Sequence, residues 1–102
     1  MNSRAKTKEE IREEFLNHIR SLKKYWMTLP NKTLEERIDG LIFSILCIFD
    51  GSTNLPAFNI SCFPHHSDKQ YCKDNDENWY PPDLIINNDC CLHEMWYMKK
   101  IK

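Results

Sequence analysis

The residues best suited to chemistry lie in the second half of this 102-residue chain. Imidazole, carboxylate and thiolate groups are the usual zinc ligands and the usual parts of thiol- or metal-dependent hydrolases. Their spacing matches no metal motif, because C-x₂-C is absent and Tyr97 stands where H-E-x-x-H would have its second histidine. A small hydrolase or a zinc site is therefore the alternative hypothesis, and the first expectation is no cofactor and no catalytic residue. The group consists of His65, His66, Asp68, Cys72, His93 and Glu94.

Aromatic residues form the second candidate set, in Trp79-Tyr80-Pro81-Pro82 and in Trp96-Tyr97. Tryptophan and tyrosine beside prolines and charges are typical of binding surfaces and ligand pockets. Aromatic rings also stack on bases, so a nucleotide-derived ligand is among the candidates. The competing interpretation is that Trp79 and Trp96 cover the core. The predicted ligand- or partner-binding residues are His65, Lys69, Tyr71, Asn78, Trp79, Tyr80, His93 and Trp96.

A helical hairpin is predicted to carry these residues. Apolar side chains from Ile11 to Trp26 recur at intervals of three and four, which indicates one face of a helix. The run Gly40–Gly51 is apolar nearly throughout and too short to cross a bilayer, which needs about 20 residues. We therefore expect a second, largely buried helix. Thr7 with Glu10 and Thr33 with Glu36 have the spacing of capping boxes, and Gly51 is suited to end the second helix.

The remaining chain is predicted to be mostly irregular. Residues 64–82 read as a loop, and residues 83–87 are a weak strand candidate that could pair with the segment before Phe63. Asn88 or Asp89 could cap a closing helix. The predicted fold is mainly α, with α+β as the alternative, in a single domain. Its parts are a disordered basic terminus (1–6), an antiparallel helical hairpin (7–51), a loop or extended segment with at most two short strands (52–88) and a closing C-terminal helix (89–100).

Charge and cysteine content narrow the function classes. The net charge is −1, and residues 64–98 carry two lysines against seven acidic residues, so nucleic-acid binding is unlikely on electrostatic grounds. The first residues are charged and lack the apolar segment of a signal peptide. Five cysteines, an odd number at irregular spacing, are then expected to be free thiols. These features predict a cytoplasmic protein that does not enter membranes.

Several motifs together resemble a family of small uncharacterised proteins from bacteria and phages. The motifs are GLIFSILCIFDG, LPAF, PHHSDKQY, ENWYPP and LHEMWY, and the resemblance covers about residues 8–97. The family pattern varies at His66, so His65 is the better site candidate. The resemblance implies one compact domain of bacterial or phage origin and assigns no catalytic residue.

These observations predict a small non-enzymatic binding protein. It would capture a partner protein or a small signalling ligand, in the manner of an inhibitor in phage–host conflict. That last element is an analogy from the family and from size. A homo-oligomer whose aromatic residues form the subunit interface is a further alternative.

Overall fold

A computed structural model describes residues 3–98 of the chain. Helix α1 spans Lys8–Thr28 and helix α2 spans Leu34–Phe49, and the two pack against each other as an antiparallel hairpin. Two shorter helices follow, α3 at Asp68–Asp74 and α4 at Leu92–Met95. The predicted mainly α fold is confirmed. No helix among the described residues has the length and apolar character needed to cross a membrane.

The boundaries of the hairpin follow from local sequence. Both predicted capping boxes are present: the Thr7 and Thr33 hydroxyls accept the backbone N–H of Glu10 and Glu36, whose carboxylates accept the cap N–H in return. Helix α2 ends at Phe49, and Gly51, two residues later, has φ of 80°. There the N–H groups of Gly51 and Ser52 donate to the carbonyls of Ile48 and Cys47, which is the glycine-ended geometry expected from the sequence.

Trp26 joins the two helices. Its indole N–H donates to the Ser44 hydroxyl at 3.0 Å, and its ring lies directly on the Cα of Gly40. A side chain at position 40 would occupy the space of the ring, so the missing Cβ allows this close approach. Arg37 of α2 also donates to the carbonyls of Trp26 and Met27, which satisfies acceptors at the end of α1.

The second half contains more helix than predicted at residues 64–82 and less at residues 89–98. Residues 64–82 are not all loop, because Asp68–Asp74 forms α3, a helix too short to show apolar periodicity. The closing helix was predicted over residues 89–100, yet α4 has a single turn and starts at Leu92, where a carboxylate distant in sequence caps it.

Residues 99 and 100 lie outside the described residues, as do residues 1 and 2 of the predicted disordered terminus. In the rest of that terminus, Arg4 and Lys6 form exposed ion pairs with Glu10 and Glu14.

The predicted pairing of residues 83–87 with the segment before Phe63 is present as a single β-bridge and not as two strands. Ser61 and Ile85 make an isolated antiparallel bridge, flanked by hydrogen bonds from Cys62 to Leu84 and from Ile86 to Ile60. Asn87 ties this segment to residues 58–60 and also donates to the Phe49 carbonyl at the end of α2, at 3.5 Å. Its amide accepts the Ile60 N–H at 2.8 Å and donates to the Phe58 carbonyl at 2.7 Å.

The core is unexpectedly thin. The sequence predicts that α2 is buried on more than one side, but only Gly40 and Ile48 of this helix are buried, and Ile48 is the one large side chain fully enclosed among the described residues. The radius of gyration is 18.0 Å, against about 13 Å for a compact chain of this length. The solvent-accessible surface is 8866 Å², against about 6,100 Å² for a monomer of this mass. The molecule is a flat layer that leaves much of its apolar surface uncovered.

Candidate binding site

A small cleft brings together half of the predicted binding residues. We call it the aromatic cleft; it has a volume of about 170 Å³ and is lined by Pro64, His65, His66, Lys69, Trp79, Tyr80 and Pro82. Helix α3 forms one wall and the Trp79–Pro82 segment forms the other. Four residues predicted from sequence, His65, Lys69, Trp79 and Tyr80, therefore share one site.

His65 begins the wall formed by α3. Its Nδ1 accepts the Ser67 N–H at 3.2 Å and lies 2.8 Å from the Ser67 hydroxyl, and its own backbone N–H donates to Asp68 Oδ2. These contacts at Nδ1 and at the backbone fix the orientation of the His65 ring at the start of α3. The His66 ring stacks on His65 with centroids 4.1 Å apart, so both histidines belong to the cleft and not His65 alone.

Two lysines fix the face of Trp79. Lys69 and Lys73 are four residues apart and therefore lie on the same side of α3. Their ammonium groups lie 5.3 Å and 5.4 Å from the centroid of the indole ring. Cation–π contacts of this kind contribute about 0.5–1 kcal/mol each when exposed. Trp79 is thus held at the surface, contrary to the interpretation that it covers the core.

A second pocket adjoins the aromatic cleft and shares Pro64 and Tyr80 with it. We call it the Phe63 pocket; it has a volume of about 280 Å³ and is also lined by Cys62, Phe63 and Asp68. The Phe63 side chain is 93% exposed, the largest exposure of any large apolar residue here. Sequence reasoning missed Phe63, because a phenylalanine between a cysteine and a proline reads equally well as a core residue.

The other predicted binding residues do not line this site. Tyr71 belongs to α3 but is exposed outside the cleft, and Asn78 is exposed without lining it. Trp96 lies beyond α4 and is partly exposed. His93 is committed elsewhere, to a contact with the end of α2. The predicted set therefore divides into four residues that share the cleft and four that lie elsewhere, of which Tyr71, Asn78 and Trp96 are exposed and His93 is half-buried.

The contact of His93 with Asp50 forms the most enclosed polar site in the described residues, which we call the Asp50 clasp. The Asp50 side chain has 0% exposure, and its two oxygens accept the N–H groups of Leu92 at 2.9 Å and His93 at 2.7 Å and the His93 ring Nδ1 at 2.6 Å. Burial raises the pKa of this carboxyl group, but the donors from His93 and Leu92 outweigh burial, so its pKa lies below the ordinary value. Asp50 thus caps α4 from a distant part of the chain.

The donor atoms of Asp50, Cys91 and His93 lie within 4.8 Å of one another, which raises the question of a metal site. This is the only such group of three or more ligand residues within residues 3–98, so His65, Asp68, Cys72 and His93, the residues of the alternative hydrolase hypothesis, do not form a ligand cluster there. Asp50 already accepts three N–H groups. Burial and the charges of Glu94, Asp50 and Cys90 raise the pKa of Cys91, which opposes the thiolate that a metal or a nucleophilic mechanism needs. We assign these residues a structural role.

Comparison of the chain with models of known protein families, with curated proteins and with solved structures gave no match.

Proposed function

We propose that this chain is a small non-enzymatic protein that captures a partner protein through the aromatic cleft and the adjoining Phe63 pocket. The observation that carries the proposal is Phe63, held at 93% exposure beside Tyr80 and Trp79. Tyrosine and tryptophan are the residues that most often dominate binding energy in protein interfaces. An exposed cluster of this kind stabilises the free chain little and becomes favourable when a partner covers it.

The size of the cleft favours a protein partner over a small signalling ligand. Ligand pockets usually enclose about 300–1,000 Å³, whereas this site consists of two adjoining depressions of about 170 Å³ and 280 Å³ that are open to solvent. Each depression suits one anchoring side chain of a partner, and neither by itself would enclose a nucleotide. Lys69, His65 and His66, which line the cleft, would orient that anchor by hydrogen bonds.

Origin and location complete the proposal. The family resemblance supports a bacterial or phage source, and a protein of this size without assembled catalytic groups would act by occupying its partner's surface, as an inhibitor does. The five cysteines all lie in the described part of the chain and are unlinked, as a reducing cytoplasm would keep them. These free cysteines support a cytoplasmic location, which is part of the proposal.

Affinity capture with matched variants tests the proposal. The full chain is immobilised, exposed to bacterial lysate, and bound proteins are identified by mass spectrometry and then titrated in purified form. Phe63→Ala and Tyr80→Ala should each weaken binding by about tenfold or more, as expected for interface anchors. Tyr25→Ala is the control, because this tyrosine is also exposed but lies on α1. Equal affinity of wild type and Tyr80→Ala for every captured protein would reject the proposal.

A small ligand would give a different result in the same experiment. Mass spectrometry of molecules released by heating the protein would show one compound bound by wild type and by Tyr25→Ala and lost from Tyr80→Ala. That outcome would replace the protein partner by a small molecule at the same site.

A further inference from the structure

We infer that a second copy of this chain covers an open apolar groove between α1 and the end of α2. The groove has a volume of about 570 Å³, and its lining is Lys8, Ile11, Arg12, Phe15, Phe49, Phe58 and Asn59. None of these residues belongs to the aromatic cleft or the Phe63 pocket. The inference therefore concerns a second surface and does not depend on the proposed function.

The floor of the groove is the chain's own core. Phe15, Phe49 and Phe58 pack edge to face or tilted, with ring centroids 5.8, 5.5 and 6.5 Å apart. These rings form the contact between α1, α2 and the segment after α2, yet they are open to solvent on one side. Interfaces of obligate homodimers look like a domain core cut in half. The groove has this character.

The total surface supports a large interface. The chain exposes about 2,800 Å² more than a monomer of its mass should. A partner of standard size on the aromatic cleft would cover only about 800 Å² per chain. Obligate homodimers bury about 1,000–2,500 Å² per chain, which is the order of this excess. A second copy therefore accounts for most of the excess by itself, whereas a partner of standard size does not.

Charge also permits two copies to meet. The chain has a net charge of only −1, so two copies do not repel each other strongly. The charged residues that line the groove, Lys8 and Arg12, are both basic, and the exposed Glu9 and Glu13 stand on the adjacent side of α1. An antiparallel arrangement of two α1 helices can therefore set the basic side chains of one copy against the acidic side chains of the other. A second copy is moreover always present at the same concentration as the first, so it is available to cover the groove whenever the chain is folded.

The mass of the full chain in solution is the first test. Sedimentation equilibrium of wild type at about 5–100 µM should give about 25 kDa, twice the 12.3 kDa of one chain. The melting temperature should rise with protein concentration, because folding is then linked to association. A mass of 12.3 kDa throughout this range would overturn the inference, whether the groove holds a small apolar molecule or nothing.

Paired variants of α1 test which face is used. Ile11 lines the groove and is 37% exposed, whereas Leu16 is 45% exposed on the same helix and does not line the groove. Ile11→Glu should shift the mass to that of one chain, and Leu16→Glu should remain a dimer. The reverse result would show that another face forms the dimer and would overturn the assignment.

A second groove variant, Asn59→Arg, tests the inference in case Ile11→Glu fails to fold. Asn59 is exposed at the groove and lies outside both hairpin helices. Asn59→Arg should keep the helical circular dichroism of wild type and raise the dissociation constant at least tenfold, and an unchanged constant would contradict the inference. Tyr80→Ala should stay dimeric, which separates a failure here from a failure of the proposed function.

Discussion

The hairpin of residues 7–51 and the segment of residues 52–98 hold their structure in different ways. In the hairpin, both helix starts and the end of α2 are fixed by residues within five positions, in the two capping boxes and the glycine end of α2, and Arg37 satisfies the end of α1 from ten and eleven positions away. In the second segment, position is fixed by two polar side chains that reach across the sequence. Asp50 caps α4 from 42 and 43 residues away, and Asn87 binds Ile60 and Phe58 from 27 and 29 residues away.

This difference shows that a short chain with a small apolar core can use buried hydrogen bonds to hold a segment in place. Only one large side chain is fully buried among the described residues, so apolar burial cannot by itself hold the second segment in place. Buried hydrogen bonds to charged or amide groups are directional and costly to leave unmade. They can therefore fix the polypeptide that carries the aromatic cleft while leaving the cleft itself exposed.

The largest effect is expected at the Asp50 clasp. Asp50→Ala should lower the free energy of unfolding by about 3 kcal/mol or more, because two helix N–H groups and the His93 ring lose their buried acceptor. Urea denaturation at pH 7 measures this. Asp89→Ala is the control, since Asp89 is the local cap suggested by sequence, is exposed in the structure, and should cost less than about 0.5 kcal/mol. A larger effect at Asp89 would show that α4 is capped locally.

Acid should remove the contribution of the Asp50 clasp. The folded-state pKa of Asp50 is lowered, so its stabilisation is complete above the unfolded value of about 3.9 and is lost as pH falls through the folded value. Wild type and Asp50→Asn should therefore differ by a constant amount above about pH 5 and converge progressively as pH falls below the unfolded value of about 3.9 and through the lower folded value. Urea midpoints measured across this range check the sign, and a difference that grows on acidification would contradict it.

A smaller effect is expected where the two helices meet at Gly40. Gly40→Ala places a methyl group in the space of the Trp26 ring, which would have to leave its hydrogen bond with Ser44. Overpacking of this kind costs about 1–3 kcal/mol and exceeds the gain of about 1 kcal/mol from better helix propensity. In a Trp26→Leu background the same change should be neutral or stabilising. If the cost is the same in both backgrounds, the ring is not its cause.

The smallest effect is expected at a capping box. Thr33→Ala should cost about 1 kcal/mol, and Thr33→Ser should recover most of it because the hydroxyl acceptor returns. Thermal unfolding by circular dichroism measures both. Equal stability of the Ala and Ser variants would show that the hydroxyl of Thr33 does not hold the start of α2.

The difference between local contacts in the hairpin and long-range contacts in the second segment also determines what could be predicted from sequence. The helix starts at Thr7 and Thr33 and the end at Gly51 are encoded within one turn, and all three were predicted correctly. The start of α4 was not, because its cap is Asp50, which in the sequence is only the last residue of an apolar run. Long-range polar contacts leave no local periodicity, so Asp50 and Asn87 could not be identified.

The candidate site follows the same rule. His65, Lys69, Trp79 and Tyr80 were identified by residue type and do line one cleft, because α3 and the Trp79–Pro82 segment bring them together. His93 and Trp96 have equally suggestive types but lie elsewhere. Residue type selected candidates, and only the three-dimensional structure could sort them.

Amide hydrogen exchange in Asn87→Ala tests most directly whether two distant polar side chains, and not the core, hold the second segment. The account predicts that protection at Ile60, Cys62 and Ile86 falls about tenfold or more beyond any loss in the interior of α1 and α2, since a bond of Asn87 and the neighbouring bridge are lost. Asn88→Ala, at an exposed neighbour, should leave all protection unchanged. An equal loss of protection in the hairpin and in the second segment would contradict the account.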